Sequence, residues 1–296
     1  MEKNQVIITK DRGLISISGE DSKDFLQNLI SNDINKTDNE NAIFSGIFTP
    51  QGKYLFEFFV IKNNEQFFLE CYENDITDLI AFLNKFKLRS KITIKNLSTE
   101  YGVAIISNEK FKDLQAELSS KGNIISFRDS PIFLDPRSNN LGARIISTTE
   151  KLYLSIKKLG LKTTDGESYV NKAHEQGIPV TNLNHLRDQL FGIEANFEEL
   201  NGIDFKKGCY IGQENTSRMK LRGKIRRKLL PVTIIEDDND QEIKFENNTI
   251  GKILIKKPKT FALIKLFDPD IKSFANKEIQ AGNKKLIINY PKLLNS

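Results

Sequence analysis

Short apolar runs and two amphipathic stretches alternate over the first hundred residues, which predicts an α+β unit. Two β-type runs, Val6-Ile7-Ile8 and residues 14–17, are separated by the turn residues Asp11-Arg12-Gly13, a hairpin-like pattern. Residues 20–30 space their apolar side chains at helical intervals, and a second amphipathic helix begins near Ile76. Three further strands are predicted between the helices, over residues 42–48, 53–61 and 66–72.

The pattern changes twice after residue 100. A second α+β unit is predicted first, with a strand, a helix and two more strands at 103–106, 109–119, 122–127 and 142–147. Residues 149–215 are helical and irregular, and from 222 onward the apolar runs are short and separated by turn residues, which is typical of a small all-β barrel. The sequence therefore predicts an α+β fold with a C-terminal β-barrel, in three domains covering residues 1–98, 99–221 and 222–296.

The charge of the chain is concentrated in one segment. The formal net charge is +5, and residues 218–228 hold seven Lys or Arg and no acid, so the remainder is slightly acidic. If this basic stripe is a strand, one of its faces is cationic and the other apolar. The common interpretation is a solvated strand that leads into the barrel. The alternative is a docking face for polyglutamate, phosphate or RNA, but without interleaved aromatics for base stacking.

The cysteine and histidine counts limit the chemistry of the chain. Cys71 and Cys209 are too few for a disulfide framework, which favours a reducing compartment, and no apolar run is long enough for a signal peptide or a membrane span. We therefore expect a cytoplasmic location. Two cysteines with only His174 and His185 do not make an iron–sulfur or zinc site alone, so no metal ligands are predicted. Cys71 lies in an apolar strand pattern that predicts packing.

The residues around Cys209 form the densest group of chemistry-bearing side chains. Residues 207–214 read Lys-Gly-Cys-Tyr-Ile-Gly-Gln-Glu, with a glycine on each side of the thiol and a second lysine, Lys206, before it. Nearby cations favour the thiolate, and glycine permits close approach of another group. The pattern predicts a reactive thiol beside a small ligand or a partner; the alternative is a buried structural cysteine on a turn.

This segment, followed by Ser217-Arg218, resembles the signature of the YgfZ-type folate-binding family. That family is related to the T-protein of glycine cleavage, a tetrahydrofolate-dependent aminomethyltransferase. Weaker matches to the family extend over nearly the whole chain, at residues 25–27, 32–33, 49–53, 88–91, 135–137, 141–144, 177–179 and 194–196.

The resemblance implies domains of the aminomethyltransferase folate-binding type around a folate-sized central opening. It implies a folate-binding accessory protein that assists maturation or repair of iron–sulfur enzymes, including those that modify tRNA. The expected cofactor is tetrahydrofolate or a derivative. The expected partners are iron–sulfur client or assembly proteins. A further expected partner is tRNA, bound through the basic stripe, and no membrane is expected as a partner.

The resemblance also assigns site residues. Cys209 is the reactive thiol, Glu175 matches a glutamate that grips the pterin ring, and Arg137 and Arg144 match arginines suited to folate's carboxylates. A solvent-facing helix position explains Glu175 equally well. The full set implied for folate binding is Asp33, Gln51, Lys53, Arg137, Arg144, Glu175, Lys207, Gly208, Tyr210, Gly212, Gln213, Glu214 and Arg218.

An aminomethyltransferase-like enzyme is the alternative function, and catalysis is left open. T-protein enzymes carry an acid pair after the glycine turn, whereas this chain has Phe56-Glu57 there, so one acid is missing. This departure disfavours aminomethyl transfer, and Glu57 is expected to face solvent from its strand. A third hypothesis is a nucleic-acid-binding module that uses the basic stripe, with tRNA affinity that falls steeply with salt.

Overall fold

The computed structural model describes residues 1–114, 120–223, 225–238, 240–246 and 248–294. The chain divides into two compact units, each assembled from separate stretches. Unit 1 comprises Met1–Ile47, Phe56–Tyr169 and Leu200–Ile211, and unit 2 comprises Phe48–Leu55, Val170–Glu199 and Gly212–Ser296. The three-domain division expected from the sequence stays a prediction.

Two sheets are formed by the first eleven strands. These strands are β1 (Gln5–Ile8), β2 (Arg12–Ser18), β3 (Ile43–Phe48), β4 (Tyr54–Asn63), β5 (Gln66–Tyr72), β6 (Thr93–Asn96), β7 (Tyr101–Ile106), β8 (Ile124–Phe127), β9 (Ser130–Leu134), β10 (Ala143–Thr148) and β11 (Lys162–Thr163). One sheet has the order β3-β4-β5-β2-β6 and the other β11-β1-β7-β10-β9-β8. The ring centroids of Phe68 and Tyr101 are 5.6 Å apart, so the sheets pack on one another.

The predicted hairpin between β1 and β2 is wrong. Ile7 of β1 pairs with Ile105 in one sheet, and Ile15 of β2 pairs with Leu69 in the other. Both strands are apolar and buried, so each takes an inner position in a sheet, and the short turn between them does not decide their partners. Strand β9 was missed because Pro131, its second residue, argues against a strand.

The six helices of the described residues include the two amphipathic ones predicted near the amino terminus. They are α1 (Ser22–Leu29), α2 (Ile76–Lys87), α3 (Asn108–Leu114), α4 (Thr149–Lys158), α5 (Glu167–Glu175) and α6 (Gln213–Leu221). Helix α1 buries Phe25, Leu26 and Leu29, as its apolar spacing requires. The predicted helix over 109–119 appears as α3, and residues 115–119 lie outside the described residues. Within the described ranges, every helix is too short or too polar to cross a lipid bilayer.

The carboxyl-terminal strands of unit 2 form the predicted barrel-like sheet. They are β12 (Arg227–Glu236), β13 (Glu242–Phe245), β14 (Asn248–Ile255), β15 (Thr260–Lys265), β16 (Glu278–Ala281) and β17 (Lys284–Ile288). Their order is β13-β14-β15-β12-β17-β16, and the two edge strands lie near each other, so the sheet is nearly closed around an apolar core. The α+β fold with a C-terminal barrel is thus confirmed.

Phe59 of β4 lies at the centre of a buried group of charged side chains, here called the charge cluster, in unit 1. Three guanidinium carbons lie near its ring centroid: Arg144 at 4.4 Å, Arg137 at 4.8 Å and Arg12 at 5.9 Å. An arginine over an aromatic face is attracted by the negative potential of the ring. The ring of Phe59 also lies 5.7 Å from Phe133 of the other sheet, so this contact joins the two layers.

Glu70 pairs with two of these arginines, Arg12 and Arg144. It pairs directly across from Phe59, on β5, and its side chain is fully buried. Arg12 donates through Nε to one carboxylate oxygen, and Nη1 of Arg144 lies 3.2 Å from each oxygen. Arg144 also donates from Nη2 to the hydroxyl of Tyr169 at 2.8 Å. A buried carboxylate with this many donors is compensated for the water it has lost.

Asp135 and Glu57 complete the charge cluster. Arg137 donates to both oxygens of Asp135, at 3.0 and 2.9 Å, and its Nη1 lies 3.6 Å from Glu57. Burial raises the pKa of Asp135, but the adjacent guanidinium groups of Arg137 and Arg144 outweigh this and hold it below its ordinary value. Glu57 is buried, so the expectation that it faces solvent is wrong.

We expect Asp135→Asn to destabilise the chain by about 3–5 kcal/mol, because it leaves the buried Arg137 without its carboxylate. Since the folded-state pKa of Asp135 lies below its ordinary 3.8, its contribution is present above that pH and lost as the pH falls through the folded value. The free energy of unfolding of the variant should therefore fall less steeply than that of the parent as the pH is lowered through the acid range. Urea unfolding between pH 3 and 7 measures both effects.

The matched control is Asp113→Asn, which breaks an exposed ion pair with Lys3. Exposed pairs contribute little to stability, so this variant should unfold like the parent protein. Equal urea midpoints for Asp135→Asn and Asp113→Asn would contradict a stabilising charge cluster.

Candidate functional site

Cys209 lies on a loop of unit 1, residues 204–211, here called the Cys209 loop. Its main anchor is Lys207, whose Nζ donates to the main-chain oxygens of Gln27, Ile30 and Asn32 at 2.7, 2.6 and 2.9 Å. These carbonyls belong to the last turn of α1 and the residues that follow it. Lys207 thus fastens the loop to the carboxyl-terminal end of a helix.

This arrangement meets a need of α1. The last carbonyls of a helix have no intrahelical donor and carry partial negative charge, and the last turn of α1 has no basic residue of its own. Lys207 supplies both the donors and the charge from a distant part of the chain. Burial lowers the pKa of Lys207 to about 8, and the nearby carboxylates of Asp33 and Asp204 oppose that shift.

Asp204 shapes the start of the Cys209 loop. One carboxylate oxygen accepts from the main-chain N–H of Lys206 at 2.6 Å and of Lys207 at 3.2 Å, and the other pairs with Lys36 at 2.6 Å. Burial raises the pKa of Asp204, and hydrogen bonds from Lys36 and from these main-chain groups lower it below its ordinary value. The loop is therefore tied down at its beginning as well as at Lys207.

Two polar residues just after α1 bind the chain immediately before the loop. Ser31 donates through its hydroxyl to the carbonyl of Gly202 at 2.6 Å. The amide of Asn32 donates to the carbonyl of Asn201 at 2.8 Å. Both side chains are buried, so these bonds hold the incoming backbone in one position.

The thiol at the tip of this loop is exposed. Cys209 is solvent-exposed, so the alternative of a buried structural cysteine is wrong, whereas Cys71 is fully buried as its strand pattern predicted. Burial raises the pKa of the Cys71 thiol. Tyr210, next to Cys209, is buried, with the centroid of its ring 5.1 Å from Nζ of Lys207.

The two glycines of the motif differ in their structural role. Gly208 is exposed, its φ lies outside the left-handed region, and a Cβ there would meet no atom of the described residues within 4 Å. The fold of the described chain gives no reason for glycine at 208, whereas it does at Gly212. Gly212, in unit 2, has φ +85°, and a Cβ would lie 2.5 Å from the carbonyl oxygen of Thr49.

In unit 2 the glycine turn of residues 49–52 packs against the start of α6. Asn215 donates to the carbonyl of Gln51 at 3.1 Å, and the side chain of Gln51 is exposed. Gln213 begins α6, and Glu214 and Arg218 pair with each other along the helix. The structure therefore brings Gln51 together with the second half of the motif.

The other residues assigned to folate divide into engaged and exposed side chains. Asp33 accepts from Asn35 in its own turn and from Gln27 of α1. Lys53 donates to Asp188, while Glu175 is exposed at the end of α5. Arg137 and Arg144 are buried in the charge cluster and paired there, so they do not fit the role of binding folate's carboxylates.

The basic stripe is neither one strand nor a free cationic face. Helix α6 extends to Leu221, and β12 begins only at Arg227. Four of its seven cations pair with acids of unit 2, through Arg218–Glu214, Lys220–Glu198, Arg227–Glu194 and Lys228–Glu199. Lys224 lies outside the described residues. The docking face for RNA loses most of its charge by this pairing.

The described residues contain no group of three or more His, Cys, Asp or Glu side chains that can hold a metal ion. A single exposed thiol supplies one ligand. Any metal or cluster bound at Cys209 therefore needs ligands from another molecule.

Sequence reasoning missed several residues on which the site depends. Asp204 and Ser31 fix the Cys209 loop, and Glu70 pairs with both Arg12 and Arg144. A signal existed for Asp204, an acid two and three residues before the amides that it caps. For Glu70 and Arg12 the sequence offered no local signal, because their contacts join different strands.

No family model matches the chain. It is 31% identical over 238 residues to an iron–sulfur cluster assembly factor IBA57 homolog, mitochondrial, from Mycosarcoma maydis, covering 75% of this chain and 55% of that protein. The corresponding Neurospora crassa protein is 31% identical over 247 residues, with 78% and 54% covered. The chain spans about half the length of these relatives.

The expectation of a cytoplasmic location is wrong, because these relatives are described as mitochondrial. Among solved structures, the aminomethyltransferase T of the glycine cleavage system from Bartonella henselae has the same fold, with a TM-score of 0.76 at 12% identity over 98% of this chain and 86% of that one. The chain is therefore a relative of the IBA57-type iron–sulfur cluster assembly factors with the fold of the glycine cleavage aminomethyltransferase, which confirms the family resemblance predicted from its motifs.

Proposed function

We propose that this chain is an accessory factor for the maturation or repair of iron–sulfur proteins, and that Cys209 is the residue through which it acts. The observation that carries this proposal is an exposed thiol on a loop that is anchored at Lys207 and Asp204. The names of its relatives support the same role.

A fixed, exposed thiol suits cluster chemistry that is shared between two proteins. The thiolate is the ligand form for iron, and one thiolate cannot complete the coordination of a cluster. The partner would supply the remaining ligands. Space around Gly208 permits such an approach, since a Cβ there would meet nothing within 4 Å among the described residues.

The proposal also covers the branch of the family to which the chain belongs and the client proteins that it assists. We place the chain in the YgfZ-type branch because the motif at 207–214 is the strongest match to that branch. Clients that modify tRNA follow from the same resemblance. Direct tRNA binding receives little support, since most of the basic stripe is neutralised by acids.

Folate is proposed as a ligand on the strength of the fold, with a smaller set of residues than the motifs implied. Arg137 and Arg144 are excluded from this set by their buried ion pairs. Glu175 is retained, since its exposed carboxylate can accept paired N–H donors from a pterin ring. Gln51 is retained because its side chain is exposed as well.

Aminomethyl transfer is the weaker candidate. Its remaining acid, Glu57, is buried, with a carboxylate oxygen 3.6 Å from Nη1 of Arg137. A general base requires access to the substrate as well as a suitable pKa. The position of Glu57 therefore favours an accessory role.

The central test replaces the thiol in cells that lack the parent chain. We expect Cys209→Ala to lower the activity of a [4Fe–4S] enzyme about tenfold at an unchanged level of the accessory protein. Gly208→Leu should do the same, because its side chain fills the space beside the thiol without disturbing the fold. Full enzyme activity with Cys209→Ala would refute the proposal.

A second prediction concerns the anchor of the loop. Lys207→Met removes the donors to three carbonyls, so amide hydrogen exchange in residues 204–211 should rise about tenfold or more, since each hydrogen bond to a charged group contributes about 1.5–3 kcal/mol. Activity of the [4Fe–4S] enzyme should fall with it. The control is Lys206→Met, an exposed neighbour, and similar exchange in the two variants would contradict the anchoring role.

The folate proposal is tested by anaerobic calorimetry with tetrahydrofolate. We expect saturable binding, weakened about tenfold in Glu175→Gln by the loss of a charged hydrogen bond acceptor. Glu167→Gln, at the other end of α5, should bind like the parent. The absence of binding at millimolar tetrahydrofolate would refute the proposal that folate is a ligand. An unchanged affinity in Glu175→Gln would show that Glu175 does not bind it.

A further inference from the structure

We infer that a groove of unit 1 next to the Cys209 loop is a docking site for a partner protein segment that presents an apolar side chain flanked by Lys or Arg. This inference rests on the proposed function, in which a partner brings the remaining cluster ligands to Cys209. It adds where that partner binds and what chemistry it presents.

The groove has a volume of about 410 Å³ and is lined by residues along α1 and by residues at and after the end of α2. Its apolar lining includes Phe25 and Leu29 of α1 and Phe86 of α2. Ile211, the last residue of the Cys209 loop, lines it too, two positions along the chain from the thiol. A segment that fills this groove is therefore held next to the Cys209 loop.

Leu88 lies along the chain between two residues that line the groove, in a conformation that costs free energy. It follows α2 with φ 42° and ψ −111°, and 87% of its surface is exposed. A branched side chain at positive φ is strained, and a large apolar side chain in water gains nothing from burial within its own fold. Its neighbours Phe86 and Ser90 both line the groove. Contact with a partner explains the strain and the exposure together.

The charge of the groove identifies the flanks of the partner segment. Asp21 and Asp24 line it, and no cationic side chain of the described residues does. Asp21 accepts the main-chain N–H of Lys91 at 2.7 Å. The carboxylate of Asp24 has no hydrogen bond or ion pair to another described residue. The apolar lining of the groove complements an apolar side chain of the partner, and the carboxylate of Asp24 complements a cation next to that side chain.

A second copy of this chain is a less suitable occupant. Leu221, which is 85% exposed, has Lys220 and Arg222 beside it and so matches the required chemistry. A groove on unit 1 that receives α6 of another copy makes a heterologous contact, however, and such contacts give open filaments unless the rotation closes a ring. A different protein satisfies the groove without that consequence.

The binding test uses two synthetic capped peptides, Lys-Lys-Phe-Lys-Lys and Glu-Glu-Phe-Glu-Glu, with the full-length chain labelled with ¹⁵N. We expect the cationic peptide to shift the amide signals of Phe86, Leu88 and Ile211 saturably, and the acidic peptide to shift none of them. Asp24→Asn should lower the affinity for the cationic peptide about tenfold. Glu65→Gln, which changes an exposed acid on a turn, should leave that affinity unchanged. Shifts confined to other residues, or equal binding by Asp24→Asn, would overturn the inference.

Leu88→Gly separates docking from a structural role. Glycine relieves the positive φ, so this variant should melt at a higher temperature than the parent and yet bind the cationic peptide more weakly. A lower melting temperature with unchanged binding would assign Leu88 to the fold and overturn its part in docking. Concentration-dependent filaments of the parent, lost in Leu88→Gly, would replace the foreign partner with a second copy.

The cell assay distinguishes failure of the groove from failure of the function. Loss of [4Fe–4S] enzyme activity in both Cys209→Ala and Asp24→Lys supports the groove within the proposed function. Loss in Cys209→Ala with full activity in Asp24→Lys and Leu88→Gly rejects the groove and leaves the function standing. Full activity in Cys209→Ala rejects the function itself, and with it the role assigned to the groove.

Discussion

The mutual neutralisation of charges around Phe59 is the constraint on which unit 1 depends. The side chains of three arginines and three carboxylates are buried between two sheets, and an unpaired charge in that position costs several kcal/mol. Each arginine is therefore committed to a carboxylate and to the face of the same ring. The two sheets are joined by this arrangement, because the charged side chains come from both of them. It also explains why two arginines that suit a carboxylate ligand are not available to one.

The Cys209 loop also holds a buried cation, Lys207, whose charge is compensated inside the fold. Lys207 is held by three carbonyls at the end of α1, so its positive charge compensates the helix terminus and not a bound ligand. What the motif leaves to the outside is the thiol of Cys209 and the space around Gly208. The residues of the motif therefore have different roles, although together they resemble a ligand-binding set. Lys207 positions the loop, and Cys209 is available for contact with another molecule.

Local patterns were sufficient for the two amino-terminal helices and for the barrel. Apolar spacing fixes which face of α1 is buried, and short runs between turns predict the strands of the C-terminal sheet. The partners of charged residues were not predictable in this way. Arg12 and Glu70 are 58 residues apart, and Glu70 and Arg144 are 74 apart. A chain read residue by residue does not show which acid neutralises which base, so Glu57 and the basic stripe were both assigned to solvent or to ligands.

The division between compensated and uncompensated groups gives a physical criterion for where this protein acts. Charges that are paired inside the fold have already gained most of their interaction energy, and a ligand that displaced their partners would have to restore it. The exposed thiol of Cys209, the exposed carboxylate of Asp24 and the strained Leu88 are not committed to a partner in this way, so they are available to a molecule that arrives. All three belong to unit 1. Asp24 lines the same groove as Ile211 of the Cys209 loop, and Leu88 lies along the chain between Phe86 and Ser90, which also line it. Since one thiolate cannot complete a cluster, the molecule that arrives must bring ligands of its own. A surface that binds the carrier of those ligands is then as necessary to the function as the thiol.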